Sequence, residues 1–142
     1  MKHLILSTLL IGLAACGRGT DIAPTLAGEV AGRYQTNSFL DFRCIALPSG
    51  SMPSATLKSQ SDVTVTLTYQ ETYPTVKSQT IANIALQRLT DTSIRLINNG
   101  NVIGTVRTDR VFSSNGMERQ GLVLRVQTDS PGTTVNFTGA KE

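Results

Sequence analysis

Side chains able to do chemistry are few and scattered in this chain. Its 142 residues hold two cysteines, Cys16 and Cys44, and one histidine, His3. His3 stands at the head of an apolar run, so everything after it lacks an imidazole. That excludes Ser-His-Asp and Cys-His nucleophile pairs, histidine-ligated zinc or copper, and a histidine pH switch from the rest of the chain. Carboxylates at Asp41, Asp62, Glu71, Asp91, Asp109, Glu118 and Asp129 are dispersed. A glycosidase needs two of them held across a cleft, and the spacing selects no pair. Asn98-Asn99-Gly100-Asn101 is rich in oxygen but lacks the carboxylates of a calcium loop, so it reads as a turn. These residues predict a non-enzymatic protein with no catalytic residue, no metal ligand and no cofactor.

The first sixteen residues are MKHLILSTLLIGLAAC. A short polar start, an apolar run broken only by small residues, two alanines and a cysteine follow one another. The run is too short to span a bilayer, which takes roughly 20 apolar residues, and it fits a cleaved leader. The ending Leu13-Ala14-Ala15-Cys16 resembles the lipobox of bacterial lipoproteins. The resemblance implies a signal peptide over residues 1–15, cleavage between Ala15 and Cys16, a diacylglyceryl thioether on Cys16, and a palmitate-type acyl group on the new amino terminus. More than one chain gives stable anchoring, since each buried methylene contributes about 0.8 kcal/mol. Gly17 follows the cysteine where an Asp would favour retention at the inner membrane, so the implied address is the outer membrane of a bacterial cell envelope. The alternative is an ordinary secretory signal in which Cys16 is incidental.

Residues 16–28 contain Gly, Thr and Pro without periodicity and predict a flexible tether, with 29–142 as one folded domain. From Gly17 to Ala27 such a tether reaches about 40 Å. The whole chain carries 13 Lys and Arg against 10 Asp and Glu, and loss of Lys2 with the leader lowers the formal charge from +3 by one. With 5% aromatic residues, no Trp and no basic run, nucleic acid is excluded as a partner. If Cys16 carries lipid, Cys44 has no partner in the chain. It then reads as a buried, inert thiol.

The body is rich in Thr, Val and Ile. Val63, Val65, Leu67 and Tyr69 alternate with Thr64, Thr66, Thr68 and Gln70, the period of a strand with one face on a core. Further strands are expected over 32–41, 55–60, 80–89, 93–98, 102–107 with a possible extension to Phe112, 121–128 and 134–140. The 80–89 segment is ambiguous, because Ile81, Ile84, Ala85 and Leu89 also suit a helix. Turns are expected at Asn98–Asn101, Ser113–Gly116 and Asp129–Gly132. Short strands joined by tight turns predict an all-β fold, a single antiparallel meander of about 7–8 strands. It closes into a small barrel or, alternatively, forms a β-sandwich.

Gly32-Arg33-Tyr34, opening the first strand, resembles the Gly-x-Trp start of lipocalins and of bacterial lipocalin-like lipoproteins, with Tyr where that family carries Trp. The resemblance carries over to Gly32 and Tyr34, and makes Arg125 the candidate for the arginine the family packs over its Trp. It implies a lipocalin-like barrel that carries a small apolar ligand. Tyr69 and Phe112 are candidate ligand contacts on this reading. Arg95 and Arg125, on the face opposite the aliphatics, are candidate contacts for an anionic partner. The implied function is a lipid-anchored binding or scaffolding domain. The alternative is a protein-binding envelope factor or enzyme inhibitor acting through a surface loop, with Pro48–Ser54 as the candidate loop.

Overall fold

The computed structural model describes residues 23–48, 50–113 and 115–142. The predicted signal peptide, Ala15, Cys16 and most of the predicted tether lie outside the described residues. Eight strands follow in order: β1 (Gly32–Gln35), β2 (Ser54–Ser59), β3 (Thr64–Glu71), β4 (Lys77–Thr90), β5 (Ser93–Asn98), β6 (Asn101–Phe112), β7 (Glu118–Ser130) and β8 (Thr133–Lys141). Each pairs antiparallel with the next, and β8 returns to β1, so the meander closes as a barrel. The expected all-β meander is therefore the fold, with the lipocalin-like barrel rather than the sandwich as its form.

Alternation builds the interior. Val65, Leu67 and Tyr69 of β3, Ile94 and Leu96 of β5, Leu124 and Val126 of β7, and Val135 and Phe137 of β8 are all buried in one cluster. Val63, expected on the same face as Val65, precedes β3 in the turn and is half exposed. Between β5 and β6 the chain turns through Asn99 and Gly100, both at positive φ (50° and 79°), which is what a two-residue type I′ hairpin requires.

The helix-like spacing in β4 has a local cause. Leu67 pairs with Ile81 and Val65 with Ile84, so Ala82 and Asn83 together stand opposite Thr66. Asn83 sits at φ 57°. This is a β-bulge: one extra residue resets the alternation, and Ile81, Ile84 and Leu86 all face the core.

The structure corrects two expectations before β2. The folded part starts earlier than residue 29, with a one-turn helix α1 (Leu26–Val30) in place of tether. Thr25 Oγ1 caps it by accepting from the Gly28 amide at 3.1 Å, and Ala27 and Val30 enter the core. The first strand also ends at Gln35 rather than Asp41. Asn37 Oδ1 accepts from the amides of Phe39 and Leu40, and Asp41 Oδ1 accepts from that of Arg43, so the chain turns into a short 3-10 helix over Phe42–Ala46.

The barrel ends differ. At one, α1 plugs the opening: the Ala27 amide donates to Asp62 O, Lys141 Nζ donates to Glu29 O, and Arg88 pairs with Glu29. The buried Tyr34 hydroxyl donates to Val30 O at 2.7 Å. The other end is bordered by the β1–β2 loop and the β3–β4 turn. On the outer wall, Val111, Val123 and Ala140 form a second small core under Leu40 of that loop.

Candidate functional site

A cavity of about 500 Å³ opens at the end opposite α1. Its floor is Tyr69 against Phe137, ring centroids 5.8 Å apart and edge to face. Cys44, Leu47 and Pro53, all from the β1–β2 loop, form one wall. Beneath the floor the barrel is filled by the core cluster, so the cavity is a cup at the mouth and not a deep hollow. Four large apolar side chains on the bordering loop and turn stay out in solvent: Phe42 (78% exposed), Ile45 (72%), Tyr73 (51%) and Val76 (82%).

Charge at the mouth is fixed locally. Arg43 Nη2 lies 2.5 Å from Asp41 Oδ2, and Arg43 Nε donates to Asp41 Oδ1 at 2.9 Å. The hydrogen bonds from Arg43 hold the Asp41 carboxyl below its ordinary value, and Asp41 in turn raises Arg43. Burial, reinforced by the Glu71 charge, pushes the Tyr69 phenol up to about 12. Burial and then Asp41 push the Cys44 thiol up, which disfavours the thiolate a reactive cysteine needs. Two buried polar atoms beside the cavity have no hydrogen-bond partner, Thr36 Oγ1 and Gln79 Oε1. Thr36 neighbours the Cys44 thiol closely enough to affect its titration, yet the contact lacks hydrogen-bond geometry. Thiols are weak partners in any case. An unpaired buried acceptor costs about 1–3 kcal/mol, and both of these atoms belong to residues that line the cavity.

The four predicted contact residues do not meet in one site. Tyr69 is in the mouth. Phe112 lies at the end of β6, stacked on Phe39 with centroids 5.5 Å apart, while its carbonyl accepts from Asn37 Nδ2. Arg95 and Arg125 share the outer face of β5–β7, each paired in register with Thr105. Arg125 faces Asp109, which also pairs with Arg107. It does not pack over Tyr34, so the arginine expected from the lipocalin resemblance is absent at that place. Gly32, at φ 143°, leaves room for the Lys141 stem, and Tyr34 is wholly buried against α1. Sequence reasoning missed Thr36, Cys44, Leu47 and Gln79 as mouth residues. The signal for the first three was the Asn37…Asp41 pair, which stops the strand and turns the loop over the opening. Pro48–Ser54 was the expected contact loop, but the exposed apolar groups lie earlier, at Phe42 and Ile45.

Among the described residues no three metal-ligating side chains converge. Comparison with protein-family models, with curated proteins and with solved structures returned no match.

Proposed function

We propose that this chain is a lipid-anchored protein of the bacterial cell envelope, non-enzymatic, whose barrel binds a protein partner at its mouth. The anchor rests on the lipobox-like Leu13-Ala14-Ala15-Cys16 and its implied outer-membrane address. The binding role rests on one observation: the open cup lined by Tyr73, with Phe42, Ile45 and Val76 exposed on the same loop and turn that border it. These groups lie at the barrel end away from α1, where the N-terminal segment joins the fold. A tethered barrel would thus present its contact surface away from the membrane. A filled interior favours this reading over a carrier that encloses an apolar ligand.

Two measurements test it. Metabolic labelling with an alkyne palmitate analogue should mark the parent protein and not Cys16→Ser, and the label should sediment with outer membrane. Photo-crosslinking residues placed at Phe42 or Val76 should give one discrete protein adduct in cells, and the same residue at Gln87 on the barrel wall should give none. Equal labelling of both proteins removes the anchor. Equal adducts from mouth and wall remove the binding end.

A second reading is favoured by the unpaired Thr36 Oγ1 and Gln79 Oε1 above the Tyr69–Phe137 floor. The cup falls in the range of small-molecule pockets, about 300–1,000 Å³. It would take a compact amphiphile, and native mass spectrometry of the purified protein would show it as an added mass.

A further inference from the structure

We propose that the mouth end of β8 is an open strand edge, and that an extended segment of the partner protein binds there by adding a strand to the sheet. The proposal rests on reading the mouth as the binding end, and it names how that end binds.

The barrel is closed by very little. β8 spans Thr133–Lys141, yet β1 pairs with it only at Tyr34↔Lys141 and Gln35↔Ala140. After Gln35 the chain leaves the sheet for the Asn37 turn, while β8 continues along β7 to the mouth. The Glu142 amide donates to Arg33 O across the closure. Backbone groups of a strand point to its two sides alternately. The amides and carbonyls of Thr138, Asn136 and Thr134 therefore point to the same side as Glu142, away from β7. Among the described residues none of these groups bonds to the β1–β2 loop. A free edge is a template for pairing, and proteins usually blunt one with charge or proline. Thr133-Thr134-Val135-Asn136-Phe137-Thr138 has neither.

The space beside that edge is the cup itself. Thr134, Asn136 and Phe137 line it from the β8 side, and Cys44, Leu47 and Pro53 from the other. An edge that offers alternating donors and acceptors is matched by polypeptide main chain, which offers the same in reverse. Alternate apolar side chains of the added strand would lie on the Tyr69–Phe137 floor. The loop wall decides between a peptide and a second copy of this chain. A strand already inside another barrel brings neighbours on its far side that would collide with the wall, whereas a single extended segment fits the slot.

Hydrogen exchange on the detergent-purified protein tests the edge without a ligand. The amides of Thr134, Asn136 and Thr138 should exchange faster than those of Val135 and Phe137, which face β7. Comparable protection of all five overturns the proposal. Random linear peptides displayed on phage should then yield binders with alternating apolar residues that slow those three amides. Asn136→Pro removes one outward donor and leaves the β7 ladder intact, so it should weaken the selected peptides at least about tenfold with the thermal transition kept. If that variant misfolds, selected peptides N-methylated at alternate amides supply the same test from the other side. Binding indifferent to both changes, or a dimer in light scattering that Asn136→Pro dissolves, overturns the proposal. If Phe42 and Val76 still crosslink while the edge proves closed, only strand addition falls; if they do not, the mouth reading falls with it.

Discussion

Tyr34→Phe removes one oxygen from the closed end, and its effect can be worked out at two pH values. The hydroxyl donates to Val30 O at 2.7 Å in a buried setting, tying α1 to β1. Without it the Val30 carbonyl is left buried and unpaired, which costs about 1–3 kcal/mol at neutral pH. That is a large share of a domain stability of roughly 5–15 kcal/mol. At alkaline pH the same hydroxyl becomes a liability. Burial, with the Glu29 charge second, raises the Tyr34 phenol well above its ordinary value. Below about pH 10 the phenol is protonated in both folded and unfolded chains, so its contribution is complete. Above that the unfolded chain releases the proton and the folded one keeps it, so stability falls as pH rises. Each such phenol lowers stability by about 1.4 kcal/mol per pH unit until its folded pKa is reached. Contributions from the rest of the chain are common to parent and variant and cancel in the difference. The gap of about 1–3 kcal/mol should therefore shrink by about 1.4 kcal/mol per pH unit, and parent and variant should become equally stable about one to two units above pH 10. Urea denaturation followed by far-UV circular dichroism between pH 7 and 11.5 measures it, since the chain has no Trp to report by fluorescence. A gap that stays constant with pH would refute the coupling of Tyr34 to the buried closed end.

Three further predictions concern the wall. Deleting Asn83 should leave a folded barrel, because Ile81, Ile84 and Leu86 then alternate without interruption; deleting Ala85 instead turns Leu86 outward and should cost about 1.5–3 kcal/mol in urea midpoint measurements. Asn83→Val should cost about 1–2 kcal/mol and Asn83→Gly nothing, since the φ of 57° suits only the latter. Gly104→Ala should cost about 3 kcal/mol by thermal melting, because its Cβ would lie 2.3 Å from Arg125 O and force β6 away from β7.

What the sequence made legible was whatever local chemistry decides. Strict alternation placed β3, β5, β7 and β8 with the correct face inward, and the Asn-Gly pair placed the β5–β6 turn. β4 is a strand, as expected, but its period breaks at Asn83, where a single extra residue imitates helical spacing; only pairing with β3 shows why. Val111 and Val123 were legible as apolar but not as members of an outer-wall cluster. The cover over Val111, Val123 and Ala140 comes from Leu40, far away in sequence, and alternation cannot see a second core outside the barrel. The mouth was the least legible feature. It depends on β1 stopping after four residues while β8 runs nine, and strand length at a closure is settled by the Asn37 turn competing with the ladder for the same amides.

That mismatch of four against nine also links the two ends of the molecule. The residues that shorten β1 are the ones that build the loop wall, so the turn that leaves β8 unpaired creates the slot beside it. A longer β1 would have closed the barrel to its mouth and, by the same step, removed Cys44 and Leu47 from opposite the β8 edge. At the other end, α1 fills the opening with Ala27 and Val30. The proposed binding end and α1 are thereby separated by the length of the barrel. Three-residue replacement of Asn37-Ser38-Phe39 by Thr-Val-Thr should extend β1, protect the Thr138 amide from exchange, and abolish peptide binding while the thermal transition stays cooperative. If peptides still bind with that amide protected, the mouth works without an open edge.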